Sequence, residues 1–429
     1  MKIFFKEKKS FIDLLIALLV FASLIWGPNS INSKFIILFS MYGIVSFLFL
    51  DRNMSKFKKV FRFYMPMVLL FLVYLLSLLY SDDLRMGSIK IQRLTSLIIF
   101  ATVFSCTKFE KRTLRRIFNY YPFVVLVACL YSHSVVVKKF IVNKEDSLRK
   151  LFNLDYSYKV LGDTIDLHTT YYSLYILIAI VIVLENFKRF LNLYEKFLYL
   201  LLIGYFSFFV LHLSSRMCII LLYIVILFNI IRFFSAKRQF FKGIAVTIIF
   251  HMALFMMASG ISATKYRFQH ILGFTYYTGY MVNDGEHKLN LWKAALDANK
   301  NFLIGNGVGD IQNSLNRAYA KNNLQKPLKE NYNSHNQYIE VYVGMGITGL
   351  IVFLYLLGYY LFFFIKHKNS IGIQFMIIIS LISLTECIWN RHNGLVFICF
   401  MLGLLLQLSL TEHERLRKDF KKIAVSKIQ

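Results

Sequence analysis

The chain alternates between long apolar runs and short polar connections. Apolar runs fall at 11–26, 35–50, 64–80, 91–106, 117–136, 169–184, 197–213, 217–234, 243–259, 345–365, 371–388 and 393–410. Each approaches the roughly 20 residues that a helix needs to cross a bilayer. A bilayer interior offers the backbone no outside partner, so such runs are expected to be helical. The pattern predicts an all-α polytopic membrane protein with about 12 transmembrane helices. Nine helices are expected over residues 1–259, a large polar loop over 260–344, three more helices over 345–410 and a basic tail over 411–429.

Composition agrees. Hydrophobic residues make up 57% of the 429 and charged residues 17%, against about 25% charged in soluble proteins. Contact with membrane lipids replaces the missing polar surface. The net charge of +27 raises the question of nucleic acid, but the position of the cations excludes it: they sit in short clusters between apolar runs. The clusters occupy alternate connections: Lys2 to Lys9, then 51–63, 107–116, 185–196, 235–242, 366–370 and the tail. The intervening short loops 27–34, 81–90 and 389–394 carry few. The positive-inside rule then places both termini in the cytoplasm and the loops 137–168 and 260–344 outside. The apolar run from Phe11 is long and no small-x-small cleavage site follows, so it is expected to be a retained first helix. The five cysteines lie in or beside apolar runs without a CxxC pair, which argues against disulfides and zinc. No internal repeat is evident.

The large loop carries its own periodicity. Leu289, Trp292, Leu296 and Phe302 predict an amphipathic helix over 287–303. A turn, Gly305-Asn306-Gly307-Val308-Gly309, follows; it is either a plain tight turn or an anion-binding nest. Asp310 is placed to cap a second helix, 311–322, with Ile311, Leu315 and Tyr319 on one face. Gly344, Gly346 and Gly349 match GxGxxG, but no strand precedes them; close packing is the expected use.

Candidate chemistry collects at one membrane level. Ser334 and Gln337 form a capping box, which puts His335 in the first turn of a helix entering the run at 345–365. The positive end of a helix dipole favours an anionic ligand and a neutral imidazole. His335 is then either a proton acceptor or an interfacial histidine. Arg216 follows Ser214-Ser215 at the outer start of a run, where a cation is functional or snorkels. Lys265, Arg267, Lys288 and Arg317 are further outward cations; together they suit a diphosphate, singly they are solvated charges. Glu386 lies at an outer run end, either a site residue or an ion pair with Arg391. His168 and Tyr171 open another run at the same level, and His251 is read as a packed polar residue.

Three of these segments resemble the O-antigen ligase and polymerase superfamily of bacterial membrane glycosyltransferases. SHNQYIEVYVGMGITGLIVFLYLL (334–355) is similar to its His-Asn motif leading into a Gly-rich span. LWKAALDANKNFLIGNGVGD (291–310) resembles its Trp-containing helix and turn, and SSR (214–216) its Arg at a helix start. HTTYYSLYI (168–176) and TECIWNRHNG (385–394) look like subfamily elements, while the N-terminal third is similar in hydropathy alone. The resemblance implies a polyprenyl-diphosphate-linked glycan as donor, at the periplasmic face of the inner membrane. The implied acceptor hydroxyl belongs to lipid A-core in a ligase, or to a growing glycan in a polymerase. It implies no cofactor and no metal. It gives His335 the activation of the hydroxyl and Arg216 the diphosphate, with Asn336, Glu386, His168 and Tyr171 as supporting residues. The family often carries Arg shortly before the Trp helix; here Lys288 stands in that register, and Arg267 upstream is the candidate for the missing guanidinium. A lipid-linked-sugar transporter or flippase would instead call for repeated halves and for paired charges or broken helices at mid-membrane. The sequence pattern shows neither.

Overall fold

The computed structural model describes residues 2–50, 52–187, 192–269, 276–277, 280–281 and 284–426. In chain order its main helices are α1 (Lys8–Trp26), α2 (Asn29–Phe49), α3 (Met54–Tyr80), α4 (Leu84–Cys106), α5 (Lys111–Val142), α6 (Thr169–Phe187), α7 (Leu193–His212), α8 (Arg216–Ala236) and α9 (Phe240–Gly260). There follow α10 (Ser262–Gln269), α11 (Asp284–Asp297), α12 (Ile311–Lys321), α13 (Gln337–Lys366), α14 (Ser370–Ile382) and α15 (His392–Glu412). Among the described residues, eleven of these are long and apolar enough to cross a membrane, and α14 is a shorter apolar helix. The chain is therefore an all-α polytopic protein, as its pattern predicts. The described strands amount to one antiparallel pair, Tyr276–Tyr277 with Tyr280–Met281.

The chain divides into two compact units. The first comprises Met1–Leu24, Asn29–Ile117 and Leu289–Gln429. Its centre is α15, whose apolar stretch is almost wholly buried, as expected of a helix that is hydrophobic all round. Phenylalanine supplies much of this core: Phe21 meets Phe400 at 4.9 Å, and Phe39 meets Phe104 at 5.3 Å and Phe400 at 5.5 Å. One polar residue on α15 closes the end of α4. Gln407 donates to the carbonyls of Phe104 and Thr107, at 2.7 and 2.6 Å, and accepts from Phe109 N–H at 2.9 Å. Those backbone groups have no water to turn to inside a bilayer.

The two glycine patterns interlock. α13 breaks at Gly346, whose φ is 61° and ψ −158°. The backbone groups around the break pair with the turn after α11. Ile347 N–H donates to Phe302 O (2.8 Å), Thr348 N–H to Leu303 O (3.2 Å), Asn306 N–H to Val343 O (2.9 Å) and Gly307 N–H to Gly344 O (2.8 Å). A Cβ on Gly305 (φ 72°) would lie 2.5 Å from Gly344 C, and one on Gly346 would lie 2.5 Å from Leu303 C. Gly305→Ala is expected to combine a left-handed penalty of about 1–2 kcal/mol with this clash. A clear fall in the thermal midpoint of the purified protein checks it.

The structure bears out the plain-turn reading and revises two other expectations. The turn is structural, because the N–H groups of Gly305, Asn306, Gly307 and Gly309 are all engaged within the protein. A helix break does exist, contrary to the sequence pattern, but its freed backbone groups are taken up by residues 302–307. Such breaks are tolerated where protein covers them. Asp310 precedes α12 without capping it; its carboxylate instead accepts from Asp82 N–H (2.7 Å) and Asp83 N–H (3.2 Å) ahead of α4.

The first loop helix is also shorter than predicted. α11 ends at Asp297, and residues 298–303 are held as a turn by Asn side chains: Asn306 Nδ2 donates to Ala298 O (2.7 Å) and Asn301 Oδ1 accepts from Leu303 N–H (3.0 Å). Its buried face is Leu291, Ala294 and Ala295, not Leu289 and Leu296, which are exposed. The small alanines let α11 approach Ile311, Leu315 and Tyr319 of α12, the face the sequence predicts.

The second unit comprises Ile25–Pro28 and Phe118–Lys288. Its centre is α6, again nearly all buried. Polar pairs tie helices to α6: Asn186 Nδ2 to Asn119 Oδ1 (3.0 Å) and Arg232 Nη1 to Glu185 Oε2 (2.9 Å).

Candidate active site

In the first unit, α12 guides the chain into the histidine segment. Gln312 Nε2 donates to Tyr332 O (3.1 Å) and Tyr319 Oη to Asn333 O (3.3 Å). Burial, then the charge of Glu340, pushes the Tyr319 phenol above its ordinary range, so it stays a donor. His335 follows with φ 48°, its N–H donated to Asn333 Oδ1 at 2.9 Å. A non-glycine residue in this region is strained by about 1–3 kcal/mol, and such strain clusters at functional sites.

The cap differs from the predicted one. Asn336, not Ser334, is the N-cap of α13, its Oδ1 accepting from Tyr338 N–H (3.0 Å) and Ile339 N–H (3.2 Å). His335 therefore stands just before the helix and not in its first turn. Ser334 is fully buried and turned away: its N–H and hydroxyl both reach Glu340 Oε2, at 3.1 and 2.9 Å. Gln337 is also redirected. Its Oε1 accepts from Trp389 N–H (3.0 Å) and its Nε2 lies 3.2 Å from Asn390 Oδ1.

These bonds draw in the connection between α14 and α15. Ser383 O accepts from Gln337 N–H at 2.8 Å. Glu386 Oε2 then comes to 3.5 Å from His335 Nδ1. That separation satisfies an ion-pair distance but not hydrogen-bond geometry, for Nδ1 is buried without a hydrogen bond among the described residues. His335 is 29% exposed and Nδ1 is not, so the accessible part of the ring excludes Nδ1. The Tyr332 ring meets the imidazole edge-on at 5.5 Å.

Sequence reasoning passed over Glu340, Cys387 and Asn390. A carboxylate opening an apolar span is a signal in itself, and it marks Glu340. Burial, with the neighbouring Glu340 carboxylate, raises the Cys387 thiol well above its ordinary value, so it remains protonated.

In the second unit, the other candidates gather at one corner. Ser214 takes φ 50° and Ser215 is the N-cap position of α8, which begins at Arg216. α10 is pinned to this turn: Thr264 Oγ1 donates to Leu211 O (2.6 Å) and lies 2.9 Å from Ser214 Oγ. Arg267, one turn on, stacks at 3.8 Å over the Tyr158 ring. Tyr158 N–H donates in turn to His212 O at 3.0 Å. The Arg267 Nε is buried and without a hydrogen bond among the described residues. Cation–π stacking orients the guanidinium plane. The start of α6 joins the same corner, where Cys218 Sγ of α8 lies 3.8 Å from Thr170 O. His168 caps that helix through Nδ1, 3.3 Å from Thr170 N, with its ring 6.0 Å from Tyr171. Tyr171 is buried and His168 exposed. Lys288 lies on α11.

Comparison with known proteins bears on this chain at one place. Residues 197–354 match the family model described as O-antigen ligase. The matched stretch contains Arg216, Arg267, Lys288, His335 and Asn336; His168, Tyr171 and Glu386 lie outside it. No curated protein matches the chain.

Proposed function

We propose, from the premise that residues 197–354 are an O-antigen ligase segment of a multi-pass bacterial membrane protein, that this chain transfers a glycan from a polyprenyl-diphosphate carrier to a hydroxyl acceptor at the periplasmic face. His335 is the general base. With Nδ1–H directed at Glu386, Nε2 is left as the proton acceptor. The acceptor hydroxyl gives its proton to Nε2 as its oxygen bonds the anomeric carbon. The bond from that carbon to the diphosphate oxygen breaks, and the polyprenyl diphosphate leaves with the electron pair. His335 then releases the proton to water. Arg216 and Arg267 bind the diphosphate and stabilise the charge that develops there, and Lys288 adds a point charge. Asn336 fixes the helix start behind His335, and His168 and Tyr171 support the corner of Arg216.

The acceptor is lipid A-core: the eleven described helices of bilayer length and the shorter α14, with the long loop after the ninth, favour a ligase over a polymerase acting on a growing glycan. A flippase is disfavoured, because the polar candidates lie at helix ends and the one described break in α13 is filled by backbone.

The observation that carries this is the 3.5 Å approach of Glu386 to a strained, half-buried His335. Glu386→Gln tests it in purified protein supplied with lipid-diphosphate-linked glycan. It is expected to lower kcat roughly 10- to 100-fold. Unchanged kcat would remove Glu386 from the mechanism.

A further inference from the structure

Glu340 is 2% exposed, at the start of a helix apolar enough to span a membrane. A carboxylate in such a place is costly unless donors surround it. Four do. From the segment before α13 come Ser334 N–H (3.1 Å) and the Ser334 hydroxyl (2.9 Å), both on Oε2. From the connection after α14 come Asn390 Nδ2, 3.0 Å from Oε1, and the Cys387 thiol, 3.9 Å from Oε2. Ser334 and Cys387 also meet directly at 3.5 Å. Ser334 is the residue before His335, and Cys387 is the residue after Glu386. One carboxylate thus binds both segments, each beside one member of the His335–Glu386 pair.

We infer that Glu340 is a positioning residue, which clamps the two segments together and so sets the separation of His335 from Glu386. The inference rests on the reading of His335 as the base. Glu340 touches neither reacting atom; it acts through Ser334 and Cys387. The other titratable groups that feel its charge are Lys90 on α4, Tyr74 on α3 and Tyr319 on α12.

Glu340→Gln keeps the size and places an NH₂ against donors. In membrane-inserted, purified protein it is expected to lower kcat about 10- to 100-fold with the donor KM within about twofold. Its pH–rate profile should change as that of Glu386→Gln does. The double variant Glu340→Gln/Glu386→Gln should be no slower than the Glu386→Gln single, within about threefold, because both changes break one unit. Ser334→Ala removes one hydroxyl donor and serves where Glu340→Gln fails to fold; about a tenfold loss of kcat is expected. Wild-type kcat in folded Glu340→Gln, multiplicative losses in the double variant, or unchanged kcat in Ser334→Ala would each overturn the inference. An active His335→Ala variant would instead overturn the base assignment, while an inactive one beside a normal Glu340→Gln variant would overturn the clamp alone.

Discussion

His335→Ala is expected to abolish detectable glycan transfer while the protein still inserts and purifies as wild type. A positioned base contributes roughly 10² to 10⁴-fold, and Glu386, the described carboxylate beside the ring, stands at Nδ1 and not at Nε2. Folding is expected to survive. The bonds that shape the segment belong to Ser334, Asn336, Gln337 and Glu340, and His335 contributes to them its backbone N–H. Nδ1 itself makes no hydrogen bond among the described residues. The check is transfer by purified protein from a polyprenyl-diphosphate-linked glycan, measured beside thermal unfolding. Normal transfer would remove the catalytic role.

Arg216→Lys is expected to lower kcat by about 10²-fold, in the range seen when one donor to a developing charge is lost. The substitution keeps the charge and discards the fork. A diphosphate presents paired oxygens that a planar guanidinium meets with two parallel bonds; an ammonium meets them as a point. The turn before Arg216 is rigid, with Ser214 at φ 50° and tied to Thr264, so Lys has little freedom to compensate. Wild-type turnover would reduce Arg216 to an interfacial charge.

The membrane architecture is legible in the sequence because lipid imposes one rule over long stretches: apolar runs of bilayer length become helices. The face of α12 is legible for the same reason, three large apolar residues at helical spacing. The face of α11 is not. Its core contacts are alanines, which a hydrophobicity pattern undervalues beside the exposed Leu289 and Leu296. The capping box failed through competition. Ser334 and Asn336 are both good N-caps two residues apart, and the choice between them is made by Glu340, which draws Ser334 away. Glu386 stands near Arg391 in sequence, but the turn through 383–391 carries it to His335. The stacking of Arg267 on Tyr158 joins residues 109 apart (267 − 158), a pairing no local pattern encodes. His335 and Arg216 were visible because a polar group at the edge of hydrocarbon is expensive to place without a purpose.

We read this chain as one that moves a finished glycan off its lipid diphosphate. Deleting its gene and analysing the surface polysaccharide and the lipid-linked pool tests that most directly. The expected result is full-length glycan stranded on the polyprenyl carrier and bare lipid A-core at the surface, with transfer restored by the wild-type chain and not by His335→Ala. Single repeat units on the carrier would contradict the ligase assignment in favour of a polymerase, and an unchanged surface would contradict the transferase itself.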